Sequence, residues 1–211
     1  MGSILEEIEN YSFQLHRDDL YAKTDEEFIK INKRNQLEVE RIKKNLEKLE
    51  VEKVGLVESW NSMVILLKEN DQIKRVTDRT KGAHTYSFKM EILLPNKLGI
   101  GFCLSQIGKL IGIYFTSGHA KSIIPITEYT STIGVFSKES KNPFISYFPY
   151  SEEQINFANK LISCCERFFP EFQLFNNIFA ATKIEDIVID GKSVYRSDLF
   201  QVLFADNLVI I

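Results

Sequence analysis

The chain has 211 residues, with 29 Asp and Glu against 26 Lys and Arg and a formal net charge of −3. A hydrophobic fraction of 44% and 16 phenylalanines suffice for a packed core and exclude a globally disordered chain. The slightly acidic balance removes the electrostatic motive for nucleic-acid binding, which rests on basic groups that neutralise phosphates. No run approaches the roughly 18 apolar residues that cross a bilayer, so no membrane partner is expected. The cysteine count is odd, with Cys103, Cys164 and Cys165, and Met1 to Asn10 is acidic and only briefly apolar. Reduced thiols and a cytoplasmic location are the expectation.

Charge density divides the chain near residue 81: 32 of the first 81 positions are charged, against 23 of the remaining 130. The pattern predicts a charged helical arm over 1–72, a linker over 73–84 and an α+β body over 85–211. In the arm, Ile4, Leu5, Ile8, Tyr11 and Leu15 predict a helix over about 4–15. Thr24-Asp25-Glu26-Glu27 reads as a capping box, with three acids at the positive end of the helix dipole. Phe28, Ile31, Val39, Ile42, Leu46 and Leu49 then recur at helical steps and predict a helix over 25–50. Gly55 offers a break, and Leu56, Trp60, Met63, Val64 and Leu67 predict a further helix over 56–70. A short connection between the two implies an antiparallel helical hairpin. The narrow stripe of 25–50, interrupted by Asn35, also suits pairing with a second copy of the chain.

Lys74, Arg75, Arg79 and Lys81 form a basic strip without interleaved aromatics, which reads as a solvated linker. Beyond it the period becomes two. Tyr86, Phe88, Met90 and Ile92 alternate with Ser87, Lys89 and Glu91, as in a half-buried strand. Leu98–Leu104 and Leu110–Phe115 follow, with further strands expected at 121–127 and 132–137. Ser151 caps a helix whose inner face is read as Ile155, Ala158, Leu161, Ile162, Cys165 and Phe169, and Pro170 stops it. Asp190-Gly191 between Ile187-Val188-Ile189 and Val194-Tyr195 predicts a hairpin. The run Leu199–Phe204 is read as a strand. The fold class is therefore α+β: an N-terminal helical hairpin or arm, then an antiparallel β-sheet body with a covering helix.

Catalytic chemistry finds little support. Gly108-Lys109 lacks the preceding glycine and the following hydroxyl of a phosphate loop. Cys103 and His119 fall on neighbouring expected strands, but Cys103 lies between Phe102 and Leu104, and a buried thiol is the commoner state. Cys164 and Cys165 are adjacent, without the spacing that brings two thiolates to one metal ion. Glu152-Glu153 suits a helix start, and Glu185-Asp186 points to opposite strand faces, so neither pair makes an acid–base dyad. No enzymatic activity, cofactor or metal is expected.

Two stretches carry a family resemblance. The first is Phe148-Pro149-Tyr150-Ser151-Glu152-Glu153-Gln154-Ile155, leading through the helix to Phe168-Phe169-Pro170-Glu171-Phe172. The second is the Val188 hairpin, ending in Ser197-Asp198-Leu199-Phe200-Gln201-Val202-Leu203-Phe204-Ala205-Asp206-Asn207. Together, over about the last sixty residues, the chain resembles the immunity proteins of bacterial polymorphic toxin systems. The resemblance implies a non-enzymatic inhibitor that binds a cognate protein toxin. Many such toxins carry basic clefts, which makes Glu185, Asp186, Asp190, Asp198 and Asp206 the expected contacts, with Tyr195 as an aromatic anchor. The alternative is a structural adaptor that forms a homodimer through residues 25–50.

Overall fold

A computed structural model describes residues 2–11, 23–80, 86–117, 145–189 and 192–204, with backbone alone at 2, 3, 5, 145, 185–197 and 201. The fold is α+β. Two helices open it, α1 (Gly2–Tyr11) and α2 (Asp25–Lys68), followed by strands β1 (Arg75–Asp78), β2 (Ser87–Leu93), β3 (Gly99–Ser105), β4 (Leu110–Thr116) and β5 (Ile145–Ser146). Helix α3 (Glu152–Phe168), β6 (Gln173–Leu174), the hairpin strands β7 (Lys183–Ile189) and β8 (Lys192–Asp198), and helix α4 (Leu199–Phe204) complete the described elements. The main sheet runs β1-β2-β3-β4-β5, all antiparallel, with β6 joining β4 in parallel; β7 and β8 form a separate pair.

Helix α2 is one continuous element of 44 residues, roughly 66 Å long, and this corrects the expected break at Gly55. A glycine inside a helix costs only about 1 kcal/mol relative to alanine. The buried stripe crosses it without interruption, from Ile42 and Leu49 through Lys53 to Trp60, Met63, Val64 and Leu67. A hairpin of helices does exist, but its partners are α1 and α2. Arg41 donates to the carbonyls of Asn10 and Glu9 (3.0 and 2.9 Å) and Asn45 to that of Asn10 (2.8 Å). These side chains satisfy carbonyls that the end of α1 leaves open. The capping box also forms one step wider than expected: Thr24 accepts from the Glu27 amide (3.2 Å), while Glu27 reaches back to the amide of Lys23 (2.8 Å).

The sheet is covered on both faces, which corrects the expectation of a half-buried strand over 86–92. On one face Phe88, Met90, Ile100, Phe102, Ile111 and Ile113 pack against the second half of α2 and against α3. Trp60 sits at the centre of this layer, with the rings of Phe88 and Phe102 at 5.3 and 5.9 Å and its Nε1 donating to Asp78 (3.0 Å). The other face carries Cys103, Leu110 and Tyr114 and packs with Ile8, Leu49, Phe175 and α4. Buried polar residues on this face need partners, and Glu91 finds one in Arg79 of the expected linker (3.2 Å). That linker is in part strand β1, paired with β2 from Arg75↔Leu93 to Asp78↔Met90.

Two further expectations are corrected. Leu199–Phe204 is helical: Leu199, Phe200, Val202, Leu203 and Phe204 are all buried in the second core, and a wholly apolar run carries no period that separates strand from helix. Phe204 lies so close over β4 that a Cβ on Gly112 would meet its ring at 2.6 Å. On α3 the inner face is Gln154, Phe157, Ala158, Leu161 and Cys165, with Ile155 exposed. Gln154 takes the inward place because it joins three backbones. Its Oε1 accepts from Tyr150 (2.7 Å), and its Nε2 donates to Gly99 (2.8 Å) and Thr116 (3.1 Å), paired residues at the ends of β3 and β4. Ser151 caps α3 as expected, accepting from the Gln154 amide. The strands expected at 121–127 and 132–137, and His119, lie outside the described residues.

Nothing lies within 4 Å of a Cβ built on Gly55, so Gly55→Ala should raise stability by about 0.5–1 kcal/mol in urea unfolding. Gly112→Ala should lower it by about 1–3 kcal/mol, because Phe204 is held on every side and cannot give way.

Candidate partner-binding face

The outer edge of β4 is the place where the sheet would otherwise expose unpaired backbone, and an open edge invites adventitious pairing. Three short segments close it. β5 pairs at the end of the strand (Phe115↔Ser146, Thr116↔Ile145), and β6 at its beginning (Leu110↔Gln173, Ile111↔Leu174). Between them the Phe175 amide donates to Ile111 (2.8 Å). Asn177 then uses its side chain as a backbone surrogate, donating through Nδ2 to Ile113 and to Tyr147 (both 2.8 Å). A short 3-10 turn, Asn177–Phe179, is capped by the Asn176 side chain, which accepts from the Ile178 amide (3.1 Å).

The consequence is a set of large apolar side chains facing water from a backbone fixed to the sheet. Phe148 is 58% exposed, Leu174 50%, Ile178 73% and Phe179 41%. The bond from Asn177 to the Tyr147 carbonyl brings the Phe148 and Ile178 segments together, and exposed apolar residues gathered in this way make a candidate protein-binding surface.

The sequence-predicted acids divide around this face. Glu185 and Asp186 lie on β7 and Tyr195 on β8, with Glu185 across from Arg196; their side chains are outside the described residues. Asp190 and Asp206 are outside them altogether. Asp198, expected as an exposed contact, is buried instead at 8% exposure and accepts a hydrogen bond from Tyr147 Oη (3.1 Å). The cause is the join of β8 to α4: the amides of Leu199 and Phe200 bond Thr182 and Ala180, and both side chains draw the strand end into the core.

Tyr147 links the face to that core. Its ring packs on Phe200 at 4.9 Å. Burial pushes its hydroxyl well above the usual tyrosine range, and the charge of Asp198, the hydrogen bond to it and the nearby Cys103 push the same way. Cys103 is buried and lies directly across from Lys89 in the β2–β3 register. The thiols of Cys164 and Cys165 are both held above the ordinary value, chiefly by burial, which opposes thiolate formation. Among the described residues no group of three or more His, Cys, Asp and Glu could hold a metal ion, and no helix is long and apolar enough to cross a membrane.

Sequence reading missed the stretch 173–179. Asn176-Asn177 between Phe175 and Ile178 offered a signal, since asparagine caps turns through its side chain. Comparison with protein-family models, with curated proteins and with solved structures finds no match.

The Tyr147 hydroxyl is raised above its unfolded value of 10.0, so the stability linked to it is intact below pH 10 and is lost as the pH rises beyond. Unfolding measured from pH 9 to 11 should show this decline, with a slope of up to about 1.4 kcal/mol per pH unit from this group. Tyr147→Phe should reduce the slope without abolishing it, because Tyr11, Cys164 and Cys165 are raised as well.

Proposed function

We propose that the chain is a non-enzymatic binding protein, an immunity protein that neutralises a cognate bacterial toxin domain through the face bearing Phe148, Leu174, Ile178 and Phe179. The observation that carries the reading is the exposure of these four side chains on a backbone pinned to β4. Such a face is ordered before it binds, so association is spared much of the entropy of fixing a loop. The first stretch of the family resemblance brackets α3 and flanks the face at Phe148, which agrees with a role in recognition. Glu185 and Asp186, on the neighbouring hairpin, would add negative charge that speeds encounter with a basic toxin. Three cysteines that form no disulfide suit action in the cytoplasm of the producing cell.

The test is affinity capture from the source lysate with the full chain as bait, followed by calorimetry on the captured partner. A single protein partner with a submicromolar Kd is expected, and Ile178→Asp should weaken it by about 30-fold or more, the loss of one anchor at an interface centre. Failure to find any submicromolar protein partner, or full affinity in the Ile178→Asp variant, contradicts the reading.

A second reading, the homo-oligomeric adaptor, draws on the first half of α2, where Phe28, Ile29 and Leu37 are exposed. Sedimentation should then show a dimer that Phe28→Asp with Leu37→Asp converts to monomer. A wild-type monomer at high concentration rejects it.

A further inference from the structure

The side of α2 that turns away from the sheet carries apolar and charged groups in a symmetric order. Leu37, Lys44, Val51, Glu58 and Ile65 follow one another at steps of seven residues, and all five are exposed. Seven residues make nearly two helical turns, so the five lie in one slowly winding line along about 42 Å of helix. At about 100° per residue that line falls roughly opposite the buried stripe of Ile42, Leu49, Trp60, Met63 and Leu67. Leu37, Val51 and Ile65 are each more than half exposed, as is Val54 beside them.

The order runs apolar, cation, apolar, anion, apolar, so reversing it only exchanges the two charges. Val51 stands at its centre. Lys33 and Glu69 extend the pattern: both are exposed, and each lies eighteen residues from Val51, about five turns, on the same side of the helix. A second helix laid antiparallel across this side, with the two Val51 side chains on the symmetry axis, sets Lys44 against Glu58 and Leu37 against Ile65, each twice. Lys33 then faces Glu69 at both ends. A parallel mate sets Lys44 against Lys44 and Glu58 against Glu58, which is repulsive.

We propose that this face pairs with the same face of a second copy of the chain, antiparallel and centred on Val51, an inference that rests on the self-association offered above as the second reading and not on toxin binding. The seam lies over 37–65 rather than 25–50, and its sense is fixed. Four heptad steps are long enough for coiled-coil pairing. Charged residues within such a seam weaken it but specify orientation and register. Another copy of α2 is the occupant whose charges match these at each step. The sheet packs on the buried stripe, on the far side of the helix, and leaves the seam open to a mate.

Sedimentation equilibrium on the full chain tests the register by charge reversal. The wild type should be a dimer in reversible exchange with monomer. Lys44→Glu alone places like charges at two contacts and should weaken the dimer about tenfold, and Glu58→Lys should do the same. Lys44→Glu together with Glu58→Lys restores opposite charges and should return the affinity to within about threefold of wild type. Both positions are exposed on a helix and exchange good helix formers, so the variants keep the fold. Val51→Lys, which brings two ammonium groups together on the axis, should give a monomer. A double variant no tighter than the single ones, or a dimer indifferent to all of these changes, overturns this register and leaves self-association to other residues. A wild-type monomer at high concentration overturns both.

Discussion

Every residue of β2, β3 and β4 is buried, and the remaining elements are arranged by the need to cover two faces and one edge of these three strands. A sheet with both faces dry cannot leave a polar side chain or a backbone group without a partner except at a cost in stability. Helices α2 and α3 close the first face, α1 and α4 the second. Gln154 ties the start of α3 to the ends of β3 and β4. Arg79 reaches in from beyond β1 to meet Glu91. The same demand at the β4 edge brings in β5, β6 and Asn177, and so builds the face proposed to bind the partner.

Helix α2 carries much of this cover. Its second half packs on the sheet through Trp60, Met63, Val64 and Leu67, and its middle receives α1 through Arg41 and Asn45. Lys53, the one charged member of the buried stripe, sets its ammonium 5.4 Å from the centre of the Phe88 ring, and burial lowers its basicity. The helix therefore ties α1 to the sheet.

Local chemistry in the sequence reached most of the elements. Thr24 and Ser151 cap where hydroxyl-bearing residues precede acids, and the strands at Ser87–Leu93, Gly99–Ser105 and Leu110–Thr116 follow from period and β-branched or aromatic content. What escaped depends on contacts distant in the chain. Gly55 stays helical because the sheet holds the residues on both sides of it. Ser87, Lys89 and Glu91 alternate as solvent-facing residues do, yet lie buried because helices and loops cover the second face. Leu199–Phe204 is helical by its packing, since its composition fits strand equally well. At the proposed binding face, Phe148 stood within the stretch that carries the resemblance, but the union of 145–148 with 173–179 needs the β4 edge to bring them together. Asp198 shows the reverse error: an acid read as a contact became a buried acceptor for Tyr147.

Pairing of β5 and β6 with β4 implies that the proposed binding face is ordered by the sheet before any partner arrives. Native-state hydrogen exchange tests this most directly, through the Phe175 amide that bonds Ile111 of β4. The prediction is that this amide exchanges as slowly as those of Leu110–Thr116, through global unfolding alone. Fast exchange of Phe175 by local opening, with β4 still protected, would contradict it.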